Sequence, residues 1–231
     1  MTSALSIRLV ATIALLLPAC GTMRMHVKPS GPAEPALQHV VLVQLDDPKL
    51  ADESKIPDMH WNDDPEWIPT GGHFDIGCNY QLLVDNLMDL SHTAVVHDGI
   101  LGNENTIKAN LTIEQDGNAV SVGRSIPNTP CPGLYNLIYK RDGRPVDLWM
   151  DMKWYPPACM INYTGVTEPN APRDQGTGFW GMHFLTPETE TSTWYLFCAV
   201  RFNPVSWGQP LDGEIQQQVS HLRRVAFEDQ D

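Results

Sequence analysis

Asp89, His92 and His97 stand in the order Asp-x-x-His-x-x-x-x-His. Two neutral imidazoles and one carboxylate form a donor set that leaves open positions on Fe(II), where dioxygen and a substrate can meet. The competing reading is ordinary: one histidine packs in a core and the other faces water, because motifs this short recur by chance. The spacing also makes a mechanical demand. Positions five apart lie about 140° apart around an ideal α-helix, too far for both rings to grip one ion. A helix carrying them is therefore expected to bulge or end between the histidines, and His97-Asp98-Gly99 supplies a helix stop.

The elements that must position these residues are legible from periodicity. Leu82, Leu83, Leu87, Leu90, Ala94 and Val95 recur at helical spacing between Leu82 and His97, and the polar residues set among them are where a site would lie. From Ile107 onward the pattern changes to alternation. Leu111 and Ile113, a turn at Asp116-Gly117-Asn118, then Val120 and Val122 predict a hairpin. Strand-like runs follow at Leu134 to Tyr139, Val146 to Trp154, Cys159 to Tyr163, Gly178 to Leu185 and Thr191 to Phe202. Before the helix, Val40 to Leu45 reads as a strand, while Asp46 to Pro69 is rich in Asp, Pro and Trp and reads as irregular. A last helix runs from about Gly213 to the end. Successive strands joined by short turns imply an α+β fold, an antiparallel sheet closed by a helix.

Composition narrows the function. With 231 residues, 42% hydrophobic content and seven tryptophans, the chain can bury one substantial core. A formal charge of −13, with no basic cluster beyond Arg223-Arg224, opposes a nucleic-acid partner. The five cysteines, Cys20, Cys78, Cys131, Cys159 and Cys198, are scattered and form no Cys-x-x-Cys pair. A Rieske cluster takes two cysteines and two histidines, in Cys-x-His and Cys-x-x-His pairs, and no cysteine here has a histidine two or three residues after it. No iron–sulfur cluster is expected on this chain.

The N-terminus supports two readings. Arg8, the apolar run Leu9 to Leu17, and Pro18-Ala19-Cys20-Gly21 follow the order of a secretory signal, with Cys20 at a lipoprotein-like position. The run is too short to span a bilayer. The other reading makes residues 1–36 a non-native leader, ending in a linker marked by Pro29, Gly31, Pro32 and Pro35. A cytoplasmic protein is expected on the second reading, an envelope lipoprotein on the first.

The stretch Asn79-Tyr80-Gln81-Leu82-Leu83-Val84-Asp85-Asn86-Leu87-Met88-Asp89-Leu90-Ser91-His92 closely resembles the iron-site helix of the vanillate O-demethylase and dicamba monooxygenase group of Rieske oxygenases. Asp46-Asp47-Pro48 through Ile56-Pro57-Asp58 resembles the segment after that family's Rieske domain. His183-Phe184-Leu185-Thr186-Pro187-Glu188-Thr189-Glu190-Thr191 resembles its characteristic strand and turn. The resemblance runs from about Gln38 to Asp231 and implies a helix-grip (START-like) fold, a curved antiparallel sheet wrapped on a long C-terminal helix. It divides the chain into a leader and Pro-rich linker, 1–36, and a C-terminally truncated oxygenase catalytic domain, 37–231.

The same resemblance assigns roles. His92, His97 and Asp229 are the implied Fe(II) ligands, Asp89 the carboxylate bridging to a neighbouring subunit's Rieske domain, and Asn86 an amide close to the iron. His183 is the implied contact to the substrate's polar group. Each also has a plain reading: an acidic chain end for Asp229, helix-face hydrogen bonding for Asn86, a satisfied core histidine for His183. Trp194 departs from the histidine many members carry, which predicts a changed pocket. The implied activity is oxygenation of a small aromatic acid by dioxygen, with electrons from an external Rieske or ferredoxin donor, in a homotrimer. An inactive remnant of an interrupted oxygenase gene, and a helix-grip binding protein for an apolar ligand, remain the alternatives.

Overall fold

The structure, a computed structural model, describes residues 23–25, 40–42, 57–62, 68–203 and 212–226. Val146, Leu148, Met150 and Met152 are buried on one face, while Asp147, Asp151 and Lys153, on the alternate face with the buried Trp149, are half-buried. An alternation of that kind lays one face of a strand on a core. Repeated along the chain, it builds a seven-stranded antiparallel sheet in the order β3-β9-β8-β7-β6-β5-β4. Its strands are β3 (Ile68–Ile76), β4 (Asn110–Asp116), β5 (Ala119–Thr129), β6 (Val146–Tyr155), β7 (Cys159–Thr167), β8 (Thr177–Thr189) and β9 (Ser192–Phe202). Two further short strands, β1 (Met23–Met25) and β2 (Val40–Leu42), pair with each other.

The predicted hairpin is β4–β5. Asp116 pairs with Ala119, and Gly117 at φ +59° takes the first loop position, the conformation a two-residue hairpin of this kind asks of glycine. On the inner face of the sheet lie three helices: α1 (Tyr80–Met88) against β6 and β8, α3 (Gly133–Ile138) against β8 and α4, and α4 (Asp212–Arg224). Val84 and Leu87 of α1, Leu134 and Ile138 of α3, and Ile215 and Val219 of α4 close one apolar core with Leu148, Met150 and Met160 of the sheet. Spacings of three or four residues put each helical pair on one face. A short helix, α2 (Glu104–Lys108), precedes β4.

Three expectations are corrected. The apolar run Leu134 to Tyr139 is the helix α3: its buried residues Leu134, Tyr135 and Ile138 follow helical spacing, and a run this short carries no decisive period. The strand β3 occupies the end of the stretch read as irregular. Pro69, Gly71 and Gly72 weaken the strand signal there. The strand forms nevertheless, because it is an edge, where a missing donor is tolerated, and because a Cβ at Gly71 or Gly72 would stand 3.0 Å from Phe197 of its neighbour β9. The helix read through Leu82 to His97 ends at Met88. Apart from Met23–Met25, the 1–36 leader lies outside the described residues, as do 43–56. None of the described helices is long and apolar enough to cross a membrane.

Candidate metal-binding site

Helix α1 starts where Asn79 caps it, its Oδ1 accepting from the Gln81 N–H at 2.9 Å. It ends where the Asp89 N–H donates to the carbonyls of Asp85 and Asn86 at 3.0 and 3.2 Å, and Asp89 turns out of the helix at φ −86°, ψ 79°. A 3₁₀ turn, His92–Ala94, follows. The chain thus meets the five-residue spacing by leaving the helix before the first histidine, rather than between the two. His92 and His97 come together with ring centroids 5.1 Å apart and planes at 79°.

The two rings are held differently. His92 is half-buried, and its Nδ1 lies 2.5 Å from the Asp89 carbonyl oxygen. A carbonyl only accepts, so Nδ1 carries the proton and the Nε2 lone pair is the one presented to a metal. His97 is fully buried, and its carbonyl accepts from the Ile100 and Leu101 N–H groups at 3.0 and 3.1 Å. Thr93 between them donates its hydroxyl to the Leu90 carbonyl at 2.8 Å. A Cβ at Gly102 would lie 2.8 Å from that hydroxyl oxygen, so the turn after His97 closes directly on the turn that carries His92.

Asp89 is exposed, and Oδ1 of its carboxylate accepts from the N–H and the hydroxyl of Ser91 at 3.0 and 2.5 Å. The Ser91 hydroxyl bond is the main reason the Asp89 carboxyl sits below the usual carboxylate range, and the charges of His92 and Arg124 add to it. The main-chain carbonyl of Asp89, rather than its carboxylate, orients the His92 ring. Asn86 is half-buried on the last turn of α1 and accepts the Asp89 N–H through its carbonyl. Asp229 lies outside the described residues, and among those described no three His, Cys, Asp or Glu side chains converge as a metal site.

His183 lies on the same face of the sheet, on β8. Its Nε2 donates to Asn162 Oδ1 at 2.8 Å and its Nδ1 accepts from the Tyr195 hydroxyl at 2.6 Å. Burial, and secondarily the charge of Arg223, drive its protonation down to about pH 3. Arg223 itself is buried, its guanidinium 4.5 Å from the Phe197 ring centroid. Asn162 reaches His183 because β8 has glycine at its pairing position: a Cβ at Gly181 would stand 1.8 Å from Asn162 Oδ1. Nothing in the local sequence marks Asn162 or Tyr195; strand register brings them to His183. Trp194, expected to reshape this pocket, is 37% exposed. Strand alternation points it away from the face that its neighbour Tyr195 shares with His183.

The opposite face of the sheet holds aromatic residues. Trp61 stacks on Trp180 and Trp180 on Tyr163, with centroids 4.6 and 4.4 Å apart. They border a groove of about 600 Å³ whose other walls include Asp151, Lys153 and Arg173. That groove is separated from the histidine pair by the sheet. At Cys131, burial pushes the thiol up to about 12, away from the thiolate form.

Residues 76–231 match the family described as Vanillate O-demethylase oxygenase C-terminal domain. The vanillate O-demethylase oxygenase subunit of a Pseudomonas strain is 33% identical over 168 residues, covering 68% of this chain and 48% of that protein. The dicamba O-demethylase oxygenase component of Stenotrophomonas maltophilia is 34% identical over 155 residues, 67% of this chain and 46% of that protein. Among solved structures, dicamba monooxygenase bound to 3,6-dichlorosalicylic acid superposes with a TM-score of 0.67 at 29% identity, covering 79% of this chain and 57% of that one. The chain spans about half the length of the curated relatives it matches.

Proposed function

Because this chain belongs to the family of vanillate O-demethylase oxygenase C-terminal domains, we propose that it is the catalytic domain of a mononuclear non-haem Fe(II) oxygenase acting on a small aromatic or related acid. The observation that carries this reading is the His92–His97 pair, two rings at 5.1 Å and 79° with the His92 tautomer set by the Asp89 carbonyl. Asp229, at the family's carboxylate position beyond α4, completes the ligand set. Two imidazoles and a carboxylate suit Fe(II) and leave room for dioxygen and substrate.

Held by His92, His97 and Asp229, iron would supply the activation of dioxygen, and the overall oxygenation would balance with one oxygen atom in the product, one in water, two protons, and two electrons from the external donor. The chain's own residues bind, orient and shield. His183 stays neutral at physiological pH and is the residue placed toward the substrate's polar group. Asp89, exposed beside His92, faces the external Rieske or ferredoxin-type donor, and Asn86 lies on the same turn. The reading includes the domain division at residues 36 and 37, a helix-grip fold, a homotrimer and a cytoplasmic location.

The test is metal binding. Anaerobic Fe(II) should bind at about one ion per chain, and His92→Ala with His97→Ala should abolish it. Unchanged iron binding in that double variant would remove the site; ligand binding without iron or chemistry would favour a binding protein.

A further inference from the structure

Between Asp89 and His92 the chain leaves a helix, reverses and presents a ring, all within three residues. Two acceptors of Asp89 organise this. Its carbonyl receives the His92 N–H at 3.1 Å and His92 Nδ1 at 2.5 Å. Its carboxylate Oδ1 receives the Ser91 N–H at 3.0 Å and the Ser91 hydroxyl at 2.5 Å. A carboxylate taking the N–H two residues on forms an Asx turn, and the hydroxyl adds a second tie to the same oxygen.

We infer that Ser91 is a positioning residue: by holding Oδ1 of Asp89 with both of its donors, it fixes the turn that aims the Asp89 carbonyl at Nδ1 of His92 and keeps Nε2 open for a metal. The inference rests on the reading of His92 as an iron ligand. Its physical content is the tautomer. A neutral imidazole protonated at Nε2 has no lone pair there to give. The hydrogen bond at the far nitrogen decides which form exists, and partners of this kind tune metal affinity. With the turn open, the Asp89 carbonyl loses its fixed aim and the ring is free to carry its proton on Nε2.

The turn gives Asp89 work inside its own chain, separable from any role of its charge toward an electron donor. Asparagine at position 89 has an oxygen that can accept both Ser91 bonds, so Asp89→Asn removes the charge and keeps the turn. Asp89→Ala removes both. Ser91→Ala removes the hydroxyl tie alone, and Ser91→Thr restores a hydroxyl.

The experiment uses metal-free full-length protein carrying ¹⁵N-histidine, with long-range ¹H–¹⁵N correlation to read each ring's tautomer and His92→Gln to assign the resonance. Wild type, Asp89→Asn and Ser91→Thr are expected to show His92 protonated at Nδ1. Ser91→Ala and Asp89→Ala are expected to move it toward Nε2 protonation and to weaken anaerobic Fe(II) binding by about 10–100-fold, with near-ultraviolet circular dichroism confirming that each variant is folded. The inference is overturned if Ser91→Ala and Asp89→Ala keep the wild-type tautomer and affinity, or if Asp89→Asn behaves as Asp89→Ala. Iron binding that survives loss of both histidines would refute the metal reading instead, and the metal-free spectra would still decide the turn.

Discussion

The turn at His92 and the strand at His183 hold the same side chain in opposite ways. On β8, His183 has both ring nitrogens engaged, one by Asn162 and one by Tyr195, and burial keeps it neutral. On the turn after α1, His92 has one nitrogen engaged by a carbonyl and is half-buried, with His97 beside it. A ring satisfied at both nitrogens is locked into its packing, whereas a ring satisfied at one has a lone pair that a metal can use. The difference comes from the backbone. A strand inside a sheet brings side chains from two neighbours to both ends of the ring, while an unwound turn supplies one main-chain carbonyl.

The largest effect should separate the two sites outright. His97→Ala is expected to lose stoichiometric Fe(II), whereas His183→Asn should retain it, measured by anaerobic titration; equal loss in both would collapse the distinction. Leu87→Ala, in the core on the last turn of α1, should cost about 2–5 kcal/mol in chemical denaturation. It tests whether α1 is the rigid base of the His92 turn, and a cost below about 1 kcal/mol would argue against it.

Gly181→Ala places a methyl group where Asn162 Oδ1 lies 1.8 Å away. A loss of about 1–3 kcal/mol is expected, together with a freed His183 ring visible as a raised titration midpoint. Unperturbed titration would mean that Asn162 does not depend on the glycine.

The pH dependence follows from His183. Its folded-state pKa lies near 3, below the unfolded value of about 6.5. As pH falls below about 6.5 the unfolded chain takes up a proton that the native chain refuses, so stability drops by up to about 1.4 kcal/mol per pH unit until the native ring itself protonates. Above that pH the group contributes no slope. Unfolding of His183→Asn should show a flatter pH profile between 6 and 4 than wild type; superimposable slopes would contradict the buried neutral ring. Trp194→Ser, on the other face, should change ligand affinity little and cost about 1–3 kcal/mol of stability, since the indole is only 37% exposed.

Much of this was legible before the fold was known. The β4–β5 hairpin followed from strict alternation around Asp-Gly-Asn, and the strands from Val146 to Phe202 from β-branched and aromatic runs. Helix α3 was not legible, because six residues cannot distinguish a buried strand from a buried helical turn. Strand β3 was hidden by Pro69, Gly71 and Gly72, residues that suit an edge packed against Phe197 and suit little else. The Asn162–His183–Tyr195 cluster was invisible for another reason. Its members are 21 and 12 residues from His183 in sequence, and only strand register makes them neighbours.

By itself, the sequence determined the identities and spacing of Asp89, His92 and His97, and the resemblance along Asn79–His92 that gave them meaning, because these are local properties of contiguous residues. It also determined the five-residue interval that no regular helix can satisfy. Only the tertiary structure decided how the interval is met: the helix stops at Met88, and the Asp89 carbonyl, not its carboxylate, accepts the hydrogen bond from His92 Nδ1. That choice depends on backbone dihedrals and on where Ser91 places two donors. It likewise decided that Trp194 turns away from His183 while Tyr195 reaches it, since a one-residue step along a strand reverses the face a side chain occupies.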